Sequence, residues 1–198
     1  MDNASSIETI GIDDGPFSLN SERDRNGPRD FAPLVAVHLR GSHLIGVETG
    51  RITVDGLDGT AEALRLLNRL PTRPLLLSGV TFGGFNLIDP RIVQKHYKVP
   101  VIVVIKSRPN NTAVKRALVS HFPDWATRWK IISSLGPLRG IRTVPSEPPI
   151  FYEFFGCSSV EARRLLSVCS MVSRIPESLR VAGIVARGLF SDLAEINR

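Results

Sequence analysis

The sequence predicts a mixed α/β fold in which three antiparallel strands are continued by strands joined through helices. Three observations predict it. Strand-like apolar runs crowd the first third of the 198 residues, the apolar period turns helical from Asp58 onward, and later all-apolar runs are separated by helical stretches. A hydrophobic content of 42% with 22% charged residues is that of a globular chain. The length fits one domain, taken as residues 1–198 with 1–6 as a flexible N-terminus.

The first strand covers residues 7–13, an apolar run containing Gly11 that stops at Asp13-Asp14-Gly15-Pro16. The polar stretch 18–30 is long for a loop in a compact domain and is expected to be mobile or functional. Residues 34–39, 44–47 and 52–54 read as further strand, and Arg40-Gly41-Ser42-His43 supplies the turn of an antiparallel meander. Ala63, Leu66, Leu67 and Leu70 then form one helical face. Residues 74–77 are a short run suited to a strand buried on both faces, and Asp89-Pro90 opens a helix as N-cap and first-turn proline.

Residues 100–105 make the next strand, and Val114, Ala117, Leu118 and His121 the next helix face. The irregular region 123–149 is expected to hold one strand at 130–132, and 150–155 another. Ser158 and Glu161 form a capping box ahead of a helix lined by Ala162, Leu165, Leu166, Cys169 and Val172. Pro176 starts a last helix with Leu179, Ala182, Val185 and Leu189. Helical crossovers predict that the later strands are parallel. Three antiparallel strands, a helix and further strands separated by helices is the element order of the ribonuclease H-like fold.

Composition narrows the function classes. No apolar stretch approaches the roughly 18 residues of a membrane span, so no membrane role is expected. The first residues lack a basic region before an apolar core, which argues against a secretory signal. Cys157 and Cys169 are too few for a disulfide framework and lack zinc spacing, and Cys169 falls on an apolar helix face. These readings point to the cytoplasm. A net charge of +6 and a pI near 9.9 favour a polyanion partner slightly.

Several residues carry candidate chemistry. Asp13 and Asp14 end a strand at a turn, where oxygen ligands for a hard divalent cation are expected; Asp-Gly-Pro is equally good turn chemistry. Asp58 precedes a helix, as a site residue or as a charge favoured by the helix dipole. Asp55 reads as a turn residue or a site member, and Asp89 as the N-cap. Gly79, Gly83 and Gly84 let backbone approach a ligand or allow positive φ, and without a P-loop lysine they imply no nucleoside triphosphate site. Lys106, at a strand end, suits a phosphate or a plain surface position, with Arg108 beside it. The four histidines show no zinc spacing. Trp125 and Trp129 suit base stacking or partly buried anchoring.

Six stretches, in order, resemble an archaeal family of unknown function related to endonuclease V. They are Gly11-Ile12-Asp13-Asp14-Gly15-Pro16-Phe17, Val54-Asp55-Gly56-Leu57-Asp58-Gly59-Thr60, Gly79-Val80-Thr81-Phe82-Gly83-Gly84-Phe85-Asn86, Pro100-Val101-Ile102-Val103-Val104-Ile105-Lys106, His121-Phe122-Pro123-Asp124-Trp125, and the run from Arg174-Ile175-Pro176 to Val181-Ala182. The resemblance implies a ribonuclease H-like fold of the endonuclease V type and a nucleic-acid partner, DNA or RNA. It also implies a site using Mg²⁺ or Mn²⁺.

In that resemblance Asp13 and Asp58 hold the metal, Asp14 ligates it or orients water, and Lys106 stabilises phosphate charge. Lys106, Arg108, Gly83 and Gly84 would face nucleic acid. Ser78 stands where the family of endonuclease V has an aspartate, and Cys157 where a histidine is expected. Loss of that carboxylate predicts a reduced site: a weak single-metal phosphodiesterase or a protein that has lost catalysis. The rival expectation is a non-catalytic scaffold that uses the fold for protein contacts. Asp13, Asp58 and Ser78 are expected to converge at the carboxyl ends of neighbouring strands.

Overall fold

The computed structural model describes residues 6–17 and 30–196, with side chains as far as residue 189. The flexible start expected at 1–6 and the polar stretch 18–30 fall almost wholly outside the described residues.

Three strands open the fold: β1 (Glu8–Asp14), β2 (Phe31–Arg40) and β3 (His43–Thr53). They pair antiparallel, β1 with β2 and β2 with β3. The two strand segments expected at 44–47 and 52–54 are thus one long edge strand. Helix α1 (Gly59–Leu67) leads to β4 (Leu75–Leu77), which pairs parallel to β1. The small hairpin of β5 (Thr81–Phe82) and β6 (Asn86–Leu87) precedes α2 (Pro90–Tyr97), and then β7 (Val101–Ile105) pairs parallel to β4. Leu75, Leu76 and Leu77 are each at most 2% exposed, as a strand covered on both faces requires. Full burial of each leucine stabilises by about 1.5–3 kcal/mol.

Next come α3 (Asn111–His121), α4 (Trp125–Ser133), β8 (Arg139–Ile141), β9 (Ile150–Phe155), α5 (Ser159–Cys169) and α6 (Glu177–Ile196). The sheet order is β3-β2-β1-β4-β7-β9-β8. Helices α1 to α4 and the β5–β6 hairpin cover one face, with Ala63, Leu66, Val93, Leu118 and Ile132 joining the β1, β4 and β7 side chains. Helices α5 and α6 cover the other, through Ala162, Leu166 and Leu179 in one cluster and Ala182 and Ala186 in another.

The structure departs from the sequence reading in several further places, among them Val172, expected on the helix face that ends at Cys169 and found exposed beyond it. Residues 130–132, expected as a strand, lie in α4, where Trp125, Trp129 and Ile132 follow a helical period onto the core. Lys130-Ile131-Ile132 is too short to carry a period of its own. Strand β8 was not expected from the sequence. Strand β9 runs antiparallel to β7, not parallel. The crossover from β7 does deliver a parallel strand, but that strand is β8; the chain then folds back and inserts β9 between them. His121, expected on an apolar face, is exposed.

Candidate functional site

β1, β4 and β7 end on the same side of the sheet, and the chain leaves them at Asp13-Asp14, Ser78 and Lys106. Adjacent strand residues point to opposite faces, so the two aspartates of β1 cannot share one side. Thr9, Gly11, Asp13 and Gly15 face α6. The Thr9 hydroxyl donates to Ser178 Oγ at 3.1 Å, and a Cβ on Gly11 would lie 2.4 Å from the Ser178 carbonyl carbon. A Cβ on Gly183 would lie 2.5 Å from Asp13 Oδ2, and the Arg187 guanidinium is 3.4 Å from that same point. Glycines at 11 and 183 therefore let a helix rest on β1 with the Asp13 carboxylate pressed against its backbone.

Asp13 Oδ1 accepts the Asp14 N–H at 3.0 Å, the Ser78 hydroxyl hydrogen-bonds the same carboxylate, and the Ser78 N–H donates to the Ile12 carbonyl at 3.0 Å. Burial, followed by the Asp14 charge, pushes the Asp13 carboxyl up to about 6, against the opposing pull of Ser78 and Lys106. Burial also raises the Asp14 carboxyl. Lys106 is exposed and draws both values down through its charge.

On the other face, Asp14 Oδ2 accepts the Gly83 N–H at 2.6 Å. The Gly83 carbonyl accepts the Asp55 N–H at 2.9 Å, and Asp55 Oδ1 accepts the Phe85 N–H at 2.9 Å. Gly83 and Gly84 take φ of +51° and +84°, and a Cβ on Gly84 would lie 2.3 Å from Asp55 Oδ1. These glycines thus form the hairpin corner; Gly83 is buried and Gly84 exposed.

Asp58 is committed elsewhere. Its carboxylate accepts the Thr53 N–H at 3.2 Å, the Thr53 hydroxyl at 2.7 Å and the Asn86 amide. Burial raises its carboxyl, but these hydrogen bonds outweigh burial and hold it below the usual range. β2 lies between β3 and β1, so two interstrand spacings, ~10 Å, separate the strands leading to Asp58 and Asp13. Of the three residues expected to converge, Asp13 and Ser78 are in contact, while Asp58, beyond the end of a strand two spacings away, ties α1 to β3.

Cys157 also departs from expectation. Phe155 pairs with Val101 at the start of β7, so Cys157 sits at the end of the sheet opposite Ser78 and Lys106. The antiparallel course of β9, which sequence did not predict, is the reason. Burial and then Glu161 raise its thiol pKa, which keeps it protonated. The position pressed on Asp13 from α6 belongs instead to Gly183, which has no side chain.

Two organising residues were missed. Asn86, fully buried, accepts the Gly59 N–H at 2.8 Å and donates to the Thr53 carbonyl at 2.8 Å. Arg128, 4% exposed, donates to the carbonyls of Asp55, Gly56 and Phe85 at 2.9, 3.0 and 2.6 Å, and to Asp124 at 2.9 Å. Nothing in local sequence marks a buried arginine whose acceptors are carbonyls 43 to 73 residues away. The alternation Thr9, Gly11, Asp13, Gly15 was a legible sign of close approach.

Asp13, Asp14 and the Ser78 hydroxyl are all oxygen donors, which suit Mg²⁺ or Mn²⁺ over a softer ion. Two carboxylates raised above their ordinary values are what a cation would relieve. Among the described residues no group of three or more His, Cys, Asp or Glu side chains could hold a metal. The donor set therefore fits one ion completed by water and phosphate oxygens, and does not fit two.

A seven-stranded mixed sheet flanked by helices, with acidic groups at the tip of its interior strand β1, defines an α/β architecture of the endonuclease V type. It superimposes on the endonuclease V of Ciona intestinalis in complex with inosine-containing DNA with a TM-score of 0.62 at 18% identity, covering 96% of this chain and 88% of that one. The NurA nuclease of Sulfolobus solfataricus gives 0.53 at 12% identity, covering 96% and 82%. A protein of unknown function from Archaeoglobus fulgidus gives 0.77 at 25% identity, covering 93% and 98%.

The sequence profile of the Endonuclease dU family matches residues 5–190, and the chain belongs to that family. UPF0215 proteins of Methanothermobacter thermautotrophicus and Pyrococcus horikoshii are each 36% identical to it, covering 93% and 91% of this chain and 88% and 90% of their own lengths. The expected archaeal relationship to endonuclease V is thereby met. No helix among the described residues is long and apolar enough to cross a membrane.

Proposed function

We propose that this chain is a nucleic-acid phosphodiesterase of the endonuclease V type, working with one Mg²⁺ or Mn²⁺ at the tip of β1. The observation that carries the reading is the pair of raised, partly buried carboxylates beside an exposed lysine. With a pKa of about 6, Asp13 is ionised in roughly nine molecules of ten at pH 7. Asp13 would hold the ion, and Asp14, on the other face of the strand tip, adds negative charge beside it. The Ser78 hydroxyl fixes the Asp13 carboxylate, and Lys106 would meet the phosphate and stabilise its developing charge. A bound cation supplies a water of lowered pKa and neutralises phosphate charge. Asp58 holds the turn and takes no ligand role in this reading.

The family's name, Endonuclease dU, makes deoxyuridine-containing DNA the first substrate to offer. Labelled oligonucleotides bearing one deoxyuridine, single-stranded and duplex, are incubated with Mn²⁺ and either the parent or Asp13→Asn. Cleavage by the parent that the variant loses supports the reading. The neutral Ser78 favours a second reading, binding without cleavage, and DNA bound but never cut would select it. A parent that neither binds nor cuts would leave the protein-scaffold alternative.

A further inference from the structure

Positive charge is concentrated on one part of this chain. Residues 101–142 contain eight Lys or Arg and a single acidic residue, Asp124, a net +7 against +6 for the whole chain. Seven of the eight are exposed; the eighth, Arg128, is buried and paired with Asp124. This segment leaves the tip of β7 beside Asp13 and Asp14, passes Lys106 and Arg108, and enters α3.

The outer side of α3 then forms one wall of an open groove of about 420 Å³ whose other wall is Trp129 of α4. Lys115 and Arg116 project from α3, and Lys115 Nζ lies 5.4 Å from the centre of the Trp129 ring. Asn111, Thr112 and Ser120 supply hydroxyl and amide groups, and none of the lining residues is acidic. From Asn111 to Ser120 the helix advances ~14 Å, enough to follow a short length of polynucleotide backbone.

We propose that the α3–α4 groove binds a single-stranded polynucleotide, with phosphates on Lys115 and Arg116 and a base stacked on Trp129. The inference rests on nucleic acid being the ligand at the β1 tip, and adds a contact outside that tip. A cation over a partly exposed indole and a second cation on the same groove wall, with no carboxylate in the lining, combine the two requirements of single-strand binding, electrostatic tracking and an aromatic platform. An acidic peptide would satisfy the cations but would gain nothing specific from the ring. Because α3 follows β7, strand entering this groove would approach the tip past Arg108 and Lys106. Lys115 would exchange its place over the ring for a phosphate oxygen, so binding should alter the environment of Trp129.

The test uses the full chain with fluorescein-labelled dT20, a 20-base-pair duplex and polyglutamate as probes. In a Trp125→Phe background the remaining tryptophan is Trp129, and its emission should be quenched by dT20 and not by polyglutamate. Lys115→Gln with Arg116→Gln, both exposed and therefore compatible with folding, should weaken dT20 binding at least tenfold. It should also reduce the slope of log K against log salt by about 1.4, two single-strand contacts at ~0.7 each. An unchanged affinity and slope in the double variant would overturn the proposal, as would dT20 binding that leaves Trp129 emission unaltered. Equal binding of polyglutamate and dT20 would show a general polyanion surface and overturn it too. A parent that binds neither dT20 nor duplex would bring down the nucleic-acid reading of the β1 tip together with this one, whereas a parent that binds duplex alone removes only the groove.

Discussion

β1 carries a carboxylate near each end, and the two have opposite electrostatic fates. Glu8, at the start, accepts from Arg40 at 2.8 Å, from Arg73, and pairs with buried His38 at 2.9 Å. Arg73 first, then Arg40, outweigh burial and hold its carboxyl at about 2. Asp13, five residues on, is pushed up to about 6 by burial and by Asp14. The site end has a buried cation too, but Arg128 donates to three backbone carbonyls and to Asp124, none of them a carboxylate of the β1 tip. One strand thus carries a carboxylate that its cations compensate and another that burial leaves raised, the contrast on which the proposed cation site rests.

Mutations can break this contrast. The largest effect is expected at Arg128, whose replacement by Met should destabilise by about 3–5 kcal/mol, because three carbonyls and Asp124 lose their donor in a buried setting. Urea unfolding measures it, and a loss below ~1 kcal/mol would mean that the loops around Asp55 and Phe85 do not depend on the clamp. Glu8→Gln should destabilise by about 1–3 kcal/mol, the half-exposed arginines recovering water in part. Asp13→Asn should act in the opposite direction, stabilising by about 1–2 kcal/mol at pH 7 after allowance for solvent screening. Equal signs at positions 8 and 13 would refute the contrast.

The pH dependence separates the ends by sign. Asp13 and Glu153 have raised carboxyls, at about 6 and about 7, the latter through burial. Glu153 Oε2 is buried with no partner among the described residues. The folded protein holds these protons more tightly than the unfolded chain, so stability should rise as pH falls from about 7 toward the ordinary carboxylate range. Glu8 is depressed, so its contribution is present above its ordinary value of 4.5 and is lost as pH falls toward about 2. The unfolding midpoint should therefore peak in mildly acidic solution, and Asp13→Asn should flatten the limb above that peak. The smallest effect expected is at Ser78→Asp. A third carboxylate beside Asp13 should lower the thermal midpoint without metal and make it respond to Mn²⁺ by a few degrees more than the parent does. Identical responses would mean that position 78 faces no cation.

Much of the fold was legible in sequence because its signals are local. Ser158 accepts the Glu161 N–H as the capping box requires, and the Asp89 side chain accepts the Arg91 N–H ahead of Pro90. The run 75–77 is buried on both faces because three consecutive leucines leave no polar side. Asp13 and Ser78 were expected as neighbours from the order of the stretches that resemble the family, and the parallel pairing of β1 with β4 brings them together.

What sequence by itself determined is most of the longer elements, several caps, the apolar faces and the family. Only the tertiary structure decided which carboxylates are lowered by their partners and which are raised by burial. Asp58 and Asp14 read alike as acidic residues at element ends, yet Asp58 is engaged by Thr53 and Asn86, while Asp14 keeps a raised carboxyl. The insertion of β9 between β7 and β8 likewise moved Cys157 to the far end of the sheet, an outcome set by strand pairing across the molecule. A carboxylate's chemistry depends on its donors, its burial and the charges around it, and those are fixed by partners tens of residues away that no local pattern names.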